Sequence, residues 1–472
     1  MQEVAYRSLL RRDRRRFHQI LGRTIETLYP KNLQANFGLL AHHFYKATNW
    51  SKALGYTLEA MEQASYTYAC QEVLISIDRA LDIISKGRWE RSKVKMFDLL
   101  MRKGKMLFCV GQSEAAKTVF KDLLLEARRL CDLETEAEAL FRLGWISFYT
   151  HQPRSSQSLL TKAIHLSRQK DFPEILLKAS GFLGFVYAVL GNLKEAEHLL
   201  TEAFELGVQL DESEGKAWSL VNLARYYNWA GEFEKTLELC LQLDMLNQKI
   251  RSPYFMILLY FIQGSAYGAL GQIEKAKQQL KAGLKQLEVV DDKFWRPRFL
   301  NTLGWVHAET GELQDAVKLN KQSLEEAKHT GDPEIIHNAQ INLGENYLAM
   351  NDLSGAKDVL ERAWQKVKKP SISYTRWRYK TRLFVAMGEL YGRLGDKKRG
   401  LDFIRRALNI ARKSGSKKHQ AIALLTKSQL LSHSRPGLIK RSLENALTLS
   451  LEMGTCLLTE KIRHAYKTIG AG

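Results

Sequence analysis

Asn222 and Asn342 occupy equivalent places in this chain, each two residues before a small residue, Ala224 and Gly344. A side-chain amide carries both a donor and an acceptor, so an Asn facing a groove can hold an extended peptide backbone without reading its side chains. Arg142, Trp145, Arg225, Asn228, Trp229, Asn301, Trp305 and Glu345 lie close to similar marks. Trp and Arg are the side chains that most often anchor a binding partner. The chemistry that these types support is recognition. Packing between neighbouring helices is the alternative role for Trp145 and Trp305, and the sequence leaves both roles open.

Residue types for bond-making are present without the spacing that catalysis needs. There is no H-E-x-x-H and no G-x-S-x-G, and no phosphate loop is completed: Gly104-Lys105 is followed by Met106, and Gly215-Lys216 by Ala217. His42 and His43 are adjacent, so on a helix they point about 100° apart and do not easily serve one metal. The five cysteines (Cys70, Cys109, Cys131, Cys240, Cys456) are odd in number, widely spaced and without a C-x-x-C pair. That pattern speaks against a zinc ribbon, a redox dithiol or a disulfide framework. The expectation is a non-enzyme with no cofactor, no metal site and reduced thiols, in the cytoplasm.

Charge is unevenly placed. The 472 residues carry a net +20, yet residues 366–472 alone hold 24 basic and 6 acidic side chains. Within that quarter Arg376, Trp377, Arg378, Lys380 and Arg382 interleave cations with aromatics, and Lys397, Lys398, Arg399, Arg405 and Arg406 continue the block. Such a mixture suits a nucleic-acid backbone with stacked bases, an anionic lipid surface or an acidic protein. A merely solvated basic face is the alternative. The most apolar run, Tyr254 to Ile262, is too short to span a bilayer.

The elements that must position these side chains are set by a ruler. A small residue recurs every 40 positions, at Gly104, Gly144, Gly184, Ala224, Gly264, Gly304 and Gly344. Seven residues after most of these marks comes a turn residue (Gly111, Gly191, Gly231, Gly271, Gly311, Asn351), and twelve after comes an alanine (Ala116, Ala196, Ala276, Ala316, Ala356). Two helices approach closely only where Gly or Ala faces the partner, so the pattern predicts an all-α solenoid of helical hairpins. Further turns are marked by Asp171-Phe172-Pro173, Arg251-Ser252-Pro253 and Gly331-Asp332-Pro333. With an aromatic or apolar residue three positions after the mark, as at Tyr187, Tyr227, Tyr267 and Tyr347, the text resembles tetratricopeptide repeats, whose stacks form a right-handed superhelix. In peptide-binding repeats of that class the positions flanking the mark face the concave groove. The resemblance therefore implies a peptide-binding groove at the ten Asn, Arg, Trp and Glu positions named first.

The N-terminal text "QEVAYRSLLRRDRRRFHQILGRTIE", followed by "LLAHHFYKATNWSKALGYTLEAMEQA", resembles a junction in bacterial signalling proteins. There a STAND/AAA-type ATPase module, often behind a class III adenylyl/guanylate cyclase domain, passes into tetratricopeptide repeats. The resemblance covers about the first 85 residues and implies a regulatory or sensor arm. None of the family's catalysis transfers to a residue of this chain, because the ATPase and cyclase motifs are absent from it. The expected organisation is an amphipathic exit helix at 1–34, irregular hairpins at 35–91, regular repeats at 92–369 and basic, degenerate repeats at 370–472. Function is expected to be protein or peptide binding in the groove, with nucleic-acid or anionic-surface binding by the basic end as the alternative.

Overall fold

The computed structural model describes residues 10–66, 69–87, 93–290, 292–367, 377–431 and 435–470. The 2–9 part of the N-terminal junction text and Arg376 lie outside the described residues. The fold is all-α: among the described residues, 23 α-helices pack as consecutive hairpins, with one 3-10 turn at Gln34–Asn36. The chain divides into two compact units, residues 1–146 and 147–472. This division falls inside the stretch of regular period.

The N-terminal unit contains α1 (Arg11–Leu28), α2 (Phe37–Lys46), α3 (Trp50–Tyr66), α4 (Cys70–Lys86), α5 (Lys93–Cys109), α6 (Ser113–Arg129) and most of α7 (Leu133–Tyr149). The C-terminal unit takes the end of α7 and continues through α8 (Pro153–Lys170), α9 (Pro173–Leu190), α10 (Leu193–Gln209), α11 (Ser213–Ala230) and α12 (Phe233–Ile250). It goes on through α13 (Pro253–Leu270), α14 (Ile273–Val290), α15 (Arg296–Glu309), α16 (Leu313–Thr330), α17 (Pro333–Ala349) and α18 (Leu353–Val367). Its last helices are α19 (Trp377–Arg393), α20 (Lys397–Lys413), α21 (Lys417–Leu430), α22 (Pro436–Glu452) and α23 (Cys456–Gly470).

The ruler has a steric cause. A methyl group added at Gly264 would lie 2.6 Å from Leu280, and one added at Gly344 would lie 2.5 Å from the Leu360 branch carbon. Gly104 meets Phe120, Gly184 meets Leu200, Gly304 meets Asn320 and Gly388 meets Ile404 in the same way. The partner is always sixteen residues on, on the second helix of the hairpin, so each small residue is the point of closest helix approach. Seven residues past each mark the backbone turns through positive φ, at Gly111, His151, Gly191, Gly231, Gly271, Gly311 and Asn351. A second left-handed series closes each repeat at Cys131, Asp171, Asp211, Arg251 and Gly331, twenty residues further on. The same spacing resumes behind Gly388, with Gly395 and Gly415. Proline at the first turn of α8, α9, α13, α17 and α22 suits helix starts, where its missing N–H costs nothing.

Among the described residues, α9 is the helix long and apolar enough to cross a membrane; the Tyr254–Ile262 run is not. Most of α9 is buried inside the C-terminal unit, so it reads as a core helix.

The C-terminal unit closes on itself. The Trp377 indole N–H donates to the Ala188 carbonyl at 2.9 Å, and the Ser416 hydroxyl donates to the Trp229 carbonyl at 3.3 Å. Lys417 pairs with Glu232 at 3.3 Å and with Glu452 at 3.2 Å, and Lys461 pairs with Glu309 at 2.7 Å. Met453 packs on Gly231 and Leu457 on Gly271. Helices α19, α21 and α23 thus meet the C-terminal ends of α9, α11, α13 and α15.

Candidate functional site in the C-terminal unit

That closure surrounds a cavity of about 750 Å³. Its wall comes from the first helices of successive hairpins, α9, α11, α13, α15, α17, α19, α21 and α23, with Phe148 and Tyr149 from the end of α7 and Lys397 from the start of α20. The alternation follows from the repeat: each second helix packs outside the first and is screened by it.

Seven of the ten positions named as groove residues line this cavity: Arg225, Asn228, Trp229, Asn301, Trp305, Asn342 and Glu345. Asn222 does not. It is 6% exposed, and its amide donates to the Gly181 carbonyl at 3.4 Å, tying α11 to α9 inside the stack. Arg142 and Trp145 belong to the N-terminal unit. There Arg142 pairs with Glu138 at 2.7 Å, and the Trp145 ring lies 4.3 Å from that of Phe108.

The basic block is divided by the fold. Trp377 is buried as a closing contact, and Arg378, Arg382 and Lys397 line the cavity. Lys380 is half-buried outside the cavity wall, near Phe384. Lys398, Arg399, Arg405 and Arg406 are exposed on α20, where Arg405 and Arg406 share Asp402 and Arg399 stacks on Tyr391 at 3.7 Å. The aromatic–cation mixture read along the sequence is therefore no continuous surface.

Inside the cavity the carboxylates are held by cations. Arg382 binds Glu345, Asn338 (2.9 Å) and Asn342 (2.5 Å). Lys461 pairs with Glu309, and Arg393 with Glu389 at 2.5 Å. Glu334 accepts from the Tyr379 hydroxyl at 3.0 Å and lies 3.9 Å from both Arg298 and Arg378. Arg298 is anchored by Asp332 at 2.6 Å and covers the Phe294 ring at 3.6 Å; Arg378 covers Trp229 at the same distance. The amide of Asn342 is spent internally, donating to the Asn301 carbonyl (3.0 Å), to the Asn301 side chain (2.9 Å) and to buried Asn320 (3.2 Å). One helical turn on, Asn346 is 2% exposed and its amide nitrogen has no hydrogen-bond partner among the described residues.

Burial raises the Glu389 carboxyl above its ordinary range against the pull of Arg393. Burial, with Arg382 and Lys461 adding to it, pushes the Lys418 ammonium down to about 8 against the attraction of Glu309 and Glu345. His419 is held well below its usual value by burial and by Lys418, Arg382 and Arg378, and its Nδ1 sits 2.8 Å from the Ser416 hydroxyl.

Sequence reasoning missed Asn338 and Asn346, one turn either side of Asn342, although their spacing of four placed them on the same face. It also missed Arg298 and Lys461, which show no pattern along the chain. Among the described residues one trio, His307, Glu312 and Asp315, brings candidate metal ligands within 4.8 Å of one another. Glu312 there already accepts from Lys277 at 2.7 Å and from His307, and these contacts pull its carboxyl down to about 2.

A family model described as tetratricopeptide repeat matches residues 258–286, which span most of α13 and most of α14. No curated protein matches the chain. Among solved structures the chain is similar to a Rap protein complexed with competence and sporulation factor, at 14% identity and a TM-score of 0.56, covering 76% of this chain and 98% of that one. It is also matched to the apo quorum sensor NprR from B. thuringiensis (13% identity, TM-score 0.49, 74% and 98% covered). A STAND protein with a tetratricopeptide repeat sensor from Pyrococcus horikoshii matches at 16% identity and a TM-score of 0.43, covering 74% of this chain and 55% of that one. The chain is an all-helical protein with a tetratricopeptide-like repeat array that shares its fold with the Rap protein.

Proposed function

We propose that the chain is a non-catalytic scaffold whose C-terminal unit binds a short peptide or protein segment in its cavity, as the sensor or regulatory arm of a signalling system. The observation that carries this reading is the inner wall itself. Aromatic faces (Trp229, Phe261, Trp295, Trp305) alternate with fixed polar groups, among them Asn346, whose amide nitrogen has no hydrogen-bond partner among the described residues. A cavity of about 750 Å³ falls within the ~300–1,000 Å³ of ligand pockets. Fixed amides facing such a space suit the donors and acceptors of a peptide backbone. The Rap protein, which shares the fold, is itself known in complex with competence and sporulation factor. The N-terminal resemblance supports a place beside an ATPase or cyclase module.

The test is a melting experiment with randomised heptapeptide pools. Binding to the folded state raises the melting temperature in proportion to the logarithm of ligand concentration over Kd. At least one pool is expected to raise it. A Thr302→Trp substitution, which fills the cavity from α15, is expected to remove the shift. No shift with any pool, or an undiminished shift in Thr302→Trp, contradicts the reading.

A further inference from the structure

We infer that the ligand of this cavity is anionic, with a carboxylate or phosphate seated on Lys418 between Arg382 and Lys461. This rests on the peptide reading above and adds the ligand's charge.

Eight basic and four acidic side chains line the cavity, and each of the four carboxylates already has a cation or hydroxyl partner. Lys397, exposed at the start of α20, and half-buried Lys418 are lining lysines with no carboxylate partner among the described residues, and Lys418 is the more enclosed of the two. It makes no hydrogen bond or salt bridge among the described residues, and its Nζ stands 4.7 Å from the Trp305 ring centroid. An indole face attracts an ammonium, but it replaces neither the hydrogen bonds of water nor a counter-ion. The charged groups that face Lys418 come from four helices: Glu309 (α15), Glu345 (α17), Arg382 (α19) and Lys461 (α23). The two glutamates are bound to the two neighbouring cations, so these four charges offset one another in pairs and the charge of Lys418 itself is left unmatched. His419, beside it on α21, stays neutral and adds no charge. An incoming anion supplies the missing partner, in a partly desolvated cavity where charge-assisted hydrogen bonds are stronger than in open water.

The low proton affinity of Lys418 follows chiefly from its burial, with Arg382 and Lys461 adding to it, and it gives the binding a signature. An anion favours the charged ammonium, so binding near pH 8 takes up a proton. Affinity therefore falls as the pH rises through about 8.

Five heptapeptide pools with one N-terminal dye separate the sources of the anion by fluorescence anisotropy: neutral with a free C-terminus, neutral amidated, amidated with one Asp or Glu, amidated with one phosphoserine, and amidated basic. At least one of the three anionic pools is expected to bind about tenfold or more tightly than the basic pool, and the arm that does so names the group. Lys418→Met is expected to erase that preference while leaving the weak binding of the neutral amidated pool in place. Lys418→Arg, which keeps the charge but does not titrate, is expected to keep the preference and lose the fall in affinity between pH 7 and 9. Equal or tighter binding of the basic pool overturns the inference alone, as does a preference that survives Lys418→Met. Absence of binding by every pool overturns the peptide reading and this inference with it.

Discussion

At the scale of single residues, position on the helix face was legible and hydrogen-bond occupancy was not. Asn342 was found by its place beside Gly344, and it does line the cavity. Its donors, however, are consumed by Asn301 and Asn320, and its oxygen by Arg382, so its part is to fix the Arg382 fork. Asn346, whose amide nitrogen has no partner among the described residues, is the better candidate for the backbone grip that the sequence suggests for Asn342. Asn222 shows the same limit, because only the three-dimensional neighbour Gly181 reveals that its amide is taken. A second residue-scale consequence concerns acid. His337 is buried, with its proton affinity lowered to about 4 by burial and by Lys366. Its folded value lies below the unfolded value of about 6.5, so it costs no stability above that pH. As the pH falls from about 6.5 towards 4, the unfolded chain takes the proton first and stability is lost, by up to about 3 kcal/mol. His18, His42 and His43 of the N-terminal unit are shifted in the same direction, chiefly by burial. His337→Gln is expected to reduce the drop in melting temperature of the C-terminal unit between pH 7 and 4.5. Parallel melting curves for variant and parent contradict the assignment.

At the scale of elements the sequence was most informative, because one steric requirement repeats. A small residue at the crossing, a left-handed residue seven on and another twenty beyond that together fix where each hairpin turns and how closely its helices pack. The register reappears behind Gly388 although the text before it is irregular, since the same contact, Gly388 on Ile404, rebuilds it. Gly264→Val tests the crossing. Its β-carbon would fall 2.6 Å from Leu280, which is itself fully buried and has no room to retreat. The expected cost is about 1–3 kcal/mol of overpacking, seen as a lower melting temperature with unchanged helix content. A paired Leu280→Ala change is expected to recover part of it. An unaltered melting temperature in the single variant contradicts the close crossing.

At the scale of the whole molecule the sequence was nearly silent. Contacts between residues almost 190 positions apart, such as Trp377 with Ala188, leave no period to read. About two-fifths of the cavity-lining residues come from α19, α21 and α23, so the cavity was invisible in the text. Residues such as Arg378 and Arg382 read as an outer basic patch because nothing in the text showed that these helices fold back onto α9 to α15. The closure is what deepens a groove into a cavity, and it places Lys418 in the wall without a carboxylate partner. The most direct measurement of the central claim is hydrogen exchange of the full chain with and without the tightest-binding heptapeptide. Protection is predicted in α13, α15, α17, α19 and α21, whose faces line the cavity, with α14, α16 and α20 unchanged. Protection confined to the exposed basic helix α20, or to the N-terminal unit, contradicts the account.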